Sequence, residues 1–261
     1  MARVSVEYRD HIAVVTLTRA DKMNALDDAM VEAIIAAGQE VAASDVRAVV
    51  LAAQGKGFCA GLDLASFAAM GEIDPKAWLL PRTHGDANGM QELAMIWRRV
   101  PVPVIVALHG VAYGGGLQLA LGGDIRIAAP DARFSLMEMK WGLVPDLGGM
   151  ALLPALVRSD VLRLMTYTAR PFDGKQALEW GVVTSLSDDP LTEALALAQE
   201  IAGKNPDAIR AAKRLIDVAE TADCATVLMA ESKESVDLIG SPNQLEVVAA
   251  QMQGRAPVFK S

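Results

Sequence analysis

The sequence predicts an α/β protein: a largely parallel sheet joined by helical crossovers, then a C-terminal portion made of helices. Three observations predict it. Short β-rich runs recur with helical patterns between them. Two of the strand-to-helix junctions are rich in glycine. After about Asp146 the strand signatures give way to successive amphipathic segments with Gly, Pro or Asp punctuation.

In chain order, "VSVEYR" and "IAVVTLT" are short strands separated by Asp10-His11, a hairpin-like pair. "ALDDAMVEAIIAAGQEVAA" sets Met30, Ile34 and Val41 at helical spacing. "VRAVVLAA", "PVIVAL" and "DIRIAA" are continuous apolar runs, as expected of strands covered on both faces. Strands recurring with helices between them favour parallel pairing and right-handed crossovers. Residues 71–88, "GEIDPKAWLLPRTHGDAN", have no periodicity and read as a mobile loop bordering a ligand site. From "GGMALLPALV" to "CATVLMAESKESVDLIG" the remaining segments read as helices.

Composition narrows the function. Among 261 residues, 52% are hydrophobic and 21% charged, which is globular. A net charge of -8 without a dense Lys/Arg run argues against nucleic acid, so an anionic ligand needs local cations or backbone amides. The two cysteines, Cys59 and Cys224, lack metal-ligand spacing and predict neither a disulfide framework nor a metal site. The start "MARVSVEYRDH" has no apolar core, so no secretory signal is expected and a cytoplasmic location is. Residues 100–123 carry no charge, yet their prolines and six glycines fit a strand, a turn and a buried helix better than a membrane span.

The glycine junctions carry the chemistry. "QGKGFCAGLDLASF" follows one strand and "VAYGGGLQLAL" another, each leading into an apolar helix. Helix starts present free N–H groups and the positive end of the macrodipole. Two facing junctions suit one oxygen that becomes negative during a reaction, and glycine lets substrate approach the amides. The Gly-Lys-Ser/Thr ending of a phosphate loop is missing, and the spacing fails the dinucleotide pattern. The plainer alternative is close helix–strand packing.

"FCAGLDL", then "HGVAYGGGLQLALGGDIRIAAPDARF", then "GLVPDLGG" resemble the crotonase superfamily, the enoyl-CoA hydratase/isomerase family, over nearly the whole chain. The resemblance implies a spiral of ββα units over residues 1–195 and a helical trimerisation region over 196–261. It implies an oxyanion hole from the Leu62 and Gly115 amides, holding the thioester carbonyl of an acyl-CoA. CoA contacts are implied at Lys22, Met23 and Ala25, with backbone contacts at Ala60, Asp63 and Leu64; the Asp63 side chain is more simply a helix cap. Of the two glutamates that hold water in hydratases of the family, one maps to Glu138 and the other to Gln118, a candidate catalytic residue that can orient water or a carbonyl but cannot accept a proton, and whose plainer alternative is packing in a buried helix. Asp146, eight residues past Glu138, stands where dienoyl-CoA isomerases carry an aspartate; it also suits a helix cap.

The resemblance further implies that Phe259 and Lys260 reach the CoA of a neighbouring subunit in a trimer or dimer of trimers, with no metal or redox cofactor. The plainer alternative for the tail is a frayed terminus. His109 reads as a turn residue, and Trp141 and Met137 as pocket lining or core. The expected activity is water addition to, or migration of, a C=C bond, Glu138 leading and Asp146 second. The rivals are hydrolysis on the same scaffold and a non-catalytic acyl-CoA-binding protein.

Overall fold

The computed structural model describes residues 2–69, 71 and 74–260, so Glu72 and Ile73 of the expected 71–88 loop lie outside the described residues. Strands β1 (Val4–Arg9) and β2 (Ile12–Leu17) form the hairpin. Asp10 and His11 turn it at φ of 49° and 64°, the left-handed geometry that matches the twist of paired strands. Helix α1 (Asp28–Ala42) is capped by Asp27, which accepts from the Met30 N–H at 2.9 Å. Strand β3 (Ala48–Ala53) follows, then α2 (Leu64–Ala69) and α3 (Pro75–Leu79). The short α3 corrects the expectation of an irregular loop: Asp74 caps it and Pro75 opens it, a local signal that outweighs the missing periodicity. Helix α4 (Gly89–Arg99) begins with a capping box from Asn88 and Gln91.

Next come β4 (Val104–Leu108), β5 (Val111–Tyr113), α5 (Gly115–Leu121), β6 (Ile125–Ala128) and β7 (Arg133–Ser135). The last third holds α6 (Gly149–Leu156), α7 (Ser159–Thr168), β8 (Phe172–Asp173), α8 (Gly174–Trp180) and β9 (Ser185–Leu186). It closes with α9 (Pro190–Ala202), α10 (Pro206–Ala219), α11 (Cys224–Leu238) and α12 (Pro242–Gln253).

Within the described residues one sheet runs β1-β2-β3-β4-β6-β9, parallel from β2 onward, and a smaller one runs β5-β7-β8. The register pairs Leu17 with Ala53 and Leu51 with Val106, so the carboxyl ends of β2, β3 and β4 share one edge. Loops leaving parallel strands at that edge are the usual place for a ligand site. Both faces of the large sheet are covered. Ala13, Val15 and Leu17 face one core with α1 and α4, while Ile12 and Val14 face another with Ala194, Ala198 and Ala202 of α9.

Residue 196, where the helical region is expected to begin, lies inside α9, whose alanines at every fourth place pack it onto β3 and β4. Helix α10 is tied back by buried Lys213, which donates to Asp124 at 2.7 Å, and by Arg98 bridging to Asp217 and Glu220 at 2.6 Å each. Helices α11 and α12, with the turn between them, expose Met229, Val236, Ile239 and Met252. The tail is not frayed: Lys260 and Asn243 exchange two hydrogen bonds, and the Arg47 guanidinium lies 5.5 Å from the Phe259 ring centre. Among the described residues no helix is long and apolar enough to cross a membrane; the uncharged run 100–123 folds as β4, β5 and α5.

Candidate active site

Three loops leave the shared edge and zip together by backbone bonds. Cys59 N–H donates to Val111 O at 3.0 Å and Tyr113 N–H to Cys59 O at 3.0 Å. Leu26 N–H donates to Gly61 O at 2.8 Å, and Asp63 N–H to Leu26 O at 2.9 Å. Arg19 locks the arrangement, donating to Ala25 O at 2.8 Å and pairing with Asp63 at 2.7 Å and Asp27 at 3.2 Å. Asp63 also accepts from the Ala65 N–H at 2.9 Å, so its side chain caps α2, the simpler of the two expected roles. That bond, with Arg19, holds its carboxyl below the ordinary range.

The triple glycine is required by contact on three sides. A Cβ at Gly114 would sit 3.3 Å from Glu138 Oε1; one at Gly115 would sit 2.9 Å from Leu26 Cδ1; one at Gly116 would sit 2.8 Å from Cys59 Cβ. A Cβ at Gly61, whose φ is +91°, would lie 3.8 Å from the Gly115 nitrogen, so the two junctions are neighbours. The Leu62 and Gly115 amides have no acceptor among the described residues, and both residues line one cavity of about 510 Å³.

Glu138 faces the same cavity. Parallel pairing of β5 with β7 matches Tyr113 to Ser135, and Gly114 N–H donates to Ser135 O at 2.9 Å, which brings the turn Glu138–Trp141 beside the glycines. Burial pushes the Glu138 carboxyl above its usual range, bonds from its own backbone and Gln118 pull it back, and the charge of Asp146 raises it further. Its Oε1 accepts from Gln118 Nε2 at 2.6 Å, while Oε2 is buried without a partner among the described residues.

Gln118 sits behind Glu138. It does not line the cavity, and its 2.6 Å contact with Glu138 leaves no room for water between them. Its Oε1 instead accepts the Leu147 and Gly149 N–H groups at 2.9 and 3.1 Å. It thereby serves the start of α6, where Gly148, not Asp146, holds the cap position. Asp146 is free of that duty. It is exposed toward the cavity it lines, and the protein packed around it raises its pKa by desolvation.

The cavity gathers Lys22, Met23, Ala25, Ala60, Leu62, Asp63, Leu64, Gly115, Glu138 and Asp146, together with Met137 and Trp141. Phe259 and Lys260 lie elsewhere on this chain. His109 holds a turn, its Nε2 3.0 Å from Gly55 O. Sequence reasoning misses Trp78 and Met90 on the apolar side and Lys140 beside the acids. The Asp74-Pro75 cap is the one signal that α3 forms and could carry Trp78 inward. Cys59, pushed up to about 12 by burial, is no nucleophile. Among the described residues no three His, Cys, Asp or Glu side chains are grouped to hold a metal.

The profile of a family described as enoyl-CoA hydratase/isomerase matches residues 7–261. The chain is 34% identical to mouse mitochondrial enoyl-CoA hydratase domain-containing protein 2, over 95% of this chain and 84% of that one. It is 31% identical to human mitochondrial methylglutaconyl-CoA hydratase, over 95% and 74%. A solved enoyl-CoA hydratase from Bacillus anthracis superposes with a TM-score of 0.88 at 29% identity, covering 99% of each chain.

Proposed function

The chain belongs to the enoyl-CoA hydratase/isomerase family, and we propose that it moves a carbon–carbon double bond of an acyl-CoA thioester, with Glu138 as base and Asp146 as the second proton carrier. The observation that carries this reading is the locked Gln118: the partner acid of a water-holding pair is replaced by an amide already bonded to Glu138 and to two backbone N–H groups.

The thioester oxygen is received by the Leu62 and Gly115 amides. Donors aimed at a developing oxyanion contribute about 3 kcal/mol each. With that charge stabilised, Glu138 Oε2 takes a proton from C2 of a 3-enoyl thioester, and the electron pair moves onto the carbonyl oxygen. Protonation at C4 by Asp146 returns the pair to form the C2=C3 bond. Glu138 then loses its proton and Asp146 regains one through solvent, so nothing is gained or lost overall. Burial raises both carboxyls toward the pH at which they exchange protons freely. The thioester supplies the activating carbonyl, and the reading calls for no metal or redox group.

The CoA portion is assigned to Lys22, Met23, Ala25, Ala60, Asp63 and Leu64, with Lys22 the local cation for phosphate. The apolar acyl chain lies against Trp78, Met90, Leu143 and Leu147. The exposed apolar residues of α11 and α12 support a trimer or a dimer of trimers, in which Phe259 and Lys260 meet a neighbour's CoA; light scattering tests it.

Hydration is the second reading. The relatives' names favour it, and Glu138 and Asp146 line one cavity large enough for water. Incubation with 2-enoyl and 3-enoyl thioesters in D₂O, and separately in H₂¹⁸O, separates the two. The expected product is an isomer that has gained deuterium but no oxygen; a ¹⁸O-labelled 3-hydroxyacyl thioester as main product overturns the isomerase reading.

A further inference from the structure

Gln118 is the polar side chain of an otherwise apolar helix, α5, and it is 0% exposed. Its carbonyl oxygen takes two backbone N–H groups and its amide nitrogen gives a proton to a carboxylate. Glutamine alone among side chains of this length does both without ionising. A glutamate keeps the two acceptor bonds but sets a second carboxyl 2.6 Å from Glu138 Oε1, where the pair must share a proton. A methionine keeps the volume and forfeits every bond. The packing leaves little freedom, because a Cβ on Gly149 would lie 2.7 Å from Gln118 Cγ.

We propose that Gln118 is a positioning residue that divides the labour of Glu138: it holds Oε1 against the protein so that Oε2 alone exchanges protons in the cavity, and through the Leu147 and Gly149 amides it holds Asp146 at the same cavity. This rests on Glu138 being the base. The titratable groups lining that cavity are Asp21, Lys22, Asp63, Tyr113, Lys140 and Asp146, of which Asp146 is the one whose charge acts on Glu138. The Gln118 bond stabilises the Glu138 carboxylate, so its loss makes the base harder to ionise.

The test compares pH profiles of kcat/KM for wild type, Gln118→Met, Gln118→Glu and Glu138→Gln, on whichever enoyl thioester the wild type turns over. Gln118→Met is expected to move the acid limb up by about one pH unit or more and to lower kcat at least about tenfold, with KM within about threefold. Gln118→Glu keeps the acceptor bonds; its melting temperature stays close to wild type at acid pH and falls as the pH rises, because the pair resists ionisation, and its profile gains one ionisation, since adjacent carboxyls titrate as a pair. If either variant folds and keeps the wild-type limb while Glu138→Gln is inactive, the positioning role is wrong and the base assignment stands. If Glu138→Gln itself turns over at a tenth of wild type or better, the base assignment fails, and this inference with it.

Discussion

The two walls of the cavity are built differently. The inner wall, Ala60 to Leu62, Gly114, Gly115 and Glu138, is backed by Cys59, Gly116 and Gln118 in a largely buried, hydrogen-bonded layer where a Cβ on any of these glycines would press on a neighbour. The outer wall is loose by comparison: Leu64 is 70% exposed and Trp141 48%, with Met23 and Leu143 also exposed. A packed interior transmits small displacements, whereas an open flank yields to its ligand. The inner wall can therefore fix a carbonyl and a base to within fractions of an ångström. The outer wall can only supply apolar area, and its consequences belong to selectivity rather than to chemistry.

The sharpest way to break this contrast is Glu138→Gln. It keeps the shape of the inner wall and removes its base, so turnover should fall by about a thousandfold, within the range for losing a general base. Binding of a non-reactive acyl-CoA analogue, measured by calorimetry, should stay within a few-fold. Loss of binding in step with turnover would mean that the inner wall supplies affinity rather than chemistry. Next in size is Gly116→Val. Its Cβ would meet Cys59 Cβ at 2.8 Å and Sγ at 2.9 Å, so overpacking should cost about 1–3 kcal/mol and lower the melting temperature by several degrees. A melting curve unchanged from wild type would show that this junction has slack.

Asp146 stands between the walls, reached by solvent yet held by the inner wall through the neighbouring Leu147 amide. Asp146→Asn should lower isomerisation about ten- to a hundredfold, toward the low end for losing one proton carrier. It should also remove the limb of kcat/KM on which Asp146 ionises and leave the acid limb in place. The sign follows from charge: Asp146 delivers its proton only while neutral, so the charge by which it raises the Glu138 carboxyl is absent from the active form, and a neutral asparagine does not change how Glu138 ionises there. A profile that keeps both limbs would mean that Asp146 is not the second proton carrier.

The same contrast explains what the sequence can reveal. The inner wall is local: strand, glycines and helix start follow one another along the chain, and Leu62, Gly115 and Glu138, each within a short motif, line one cavity. The bonds of Gln118 are not legible in the sequence because its partners lie 20 to 31 residues away, and nothing near it shows that its amide is already occupied. Trp78 escapes notice because its route to the cavity runs through a segment without periodicity, whose short helix depends on a single Asp-Pro cap, and Met90 because a buried apolar residue in the first turn of α4 reads as core. How α9 relates to the sheet is hidden for a related reason. The alanines of α9 read as helix in either setting, and only their packing with Val14, Val50 and Ile105 ties them to the sheet.

The smallest expected effect tests the outer wall alone. Leu143 is exposed, lines the cavity, and lies five residues past Glu138, to whose carbonyl its N–H donates at 3.0 Å. Leu143→Ala leaves that backbone bond in place and removes only apolar side-chain surface. Stability should change by no more than about 0.5 kcal/mol, as for surface substitutions generally. Short acyl thioesters, which do not extend along the outer wall, should be turned over at the wild-type rate. Longer ones should show KM raised a few-fold with kcat unchanged. An apolar surface that serves bound substrate and transition state equally sets affinity and leaves the chemical step alone. A fall in kcat on short substrates would place Leu143 with the inner wall, and the boundary between chemistry and selectivity would then have to be redrawn along the turn that follows Glu138.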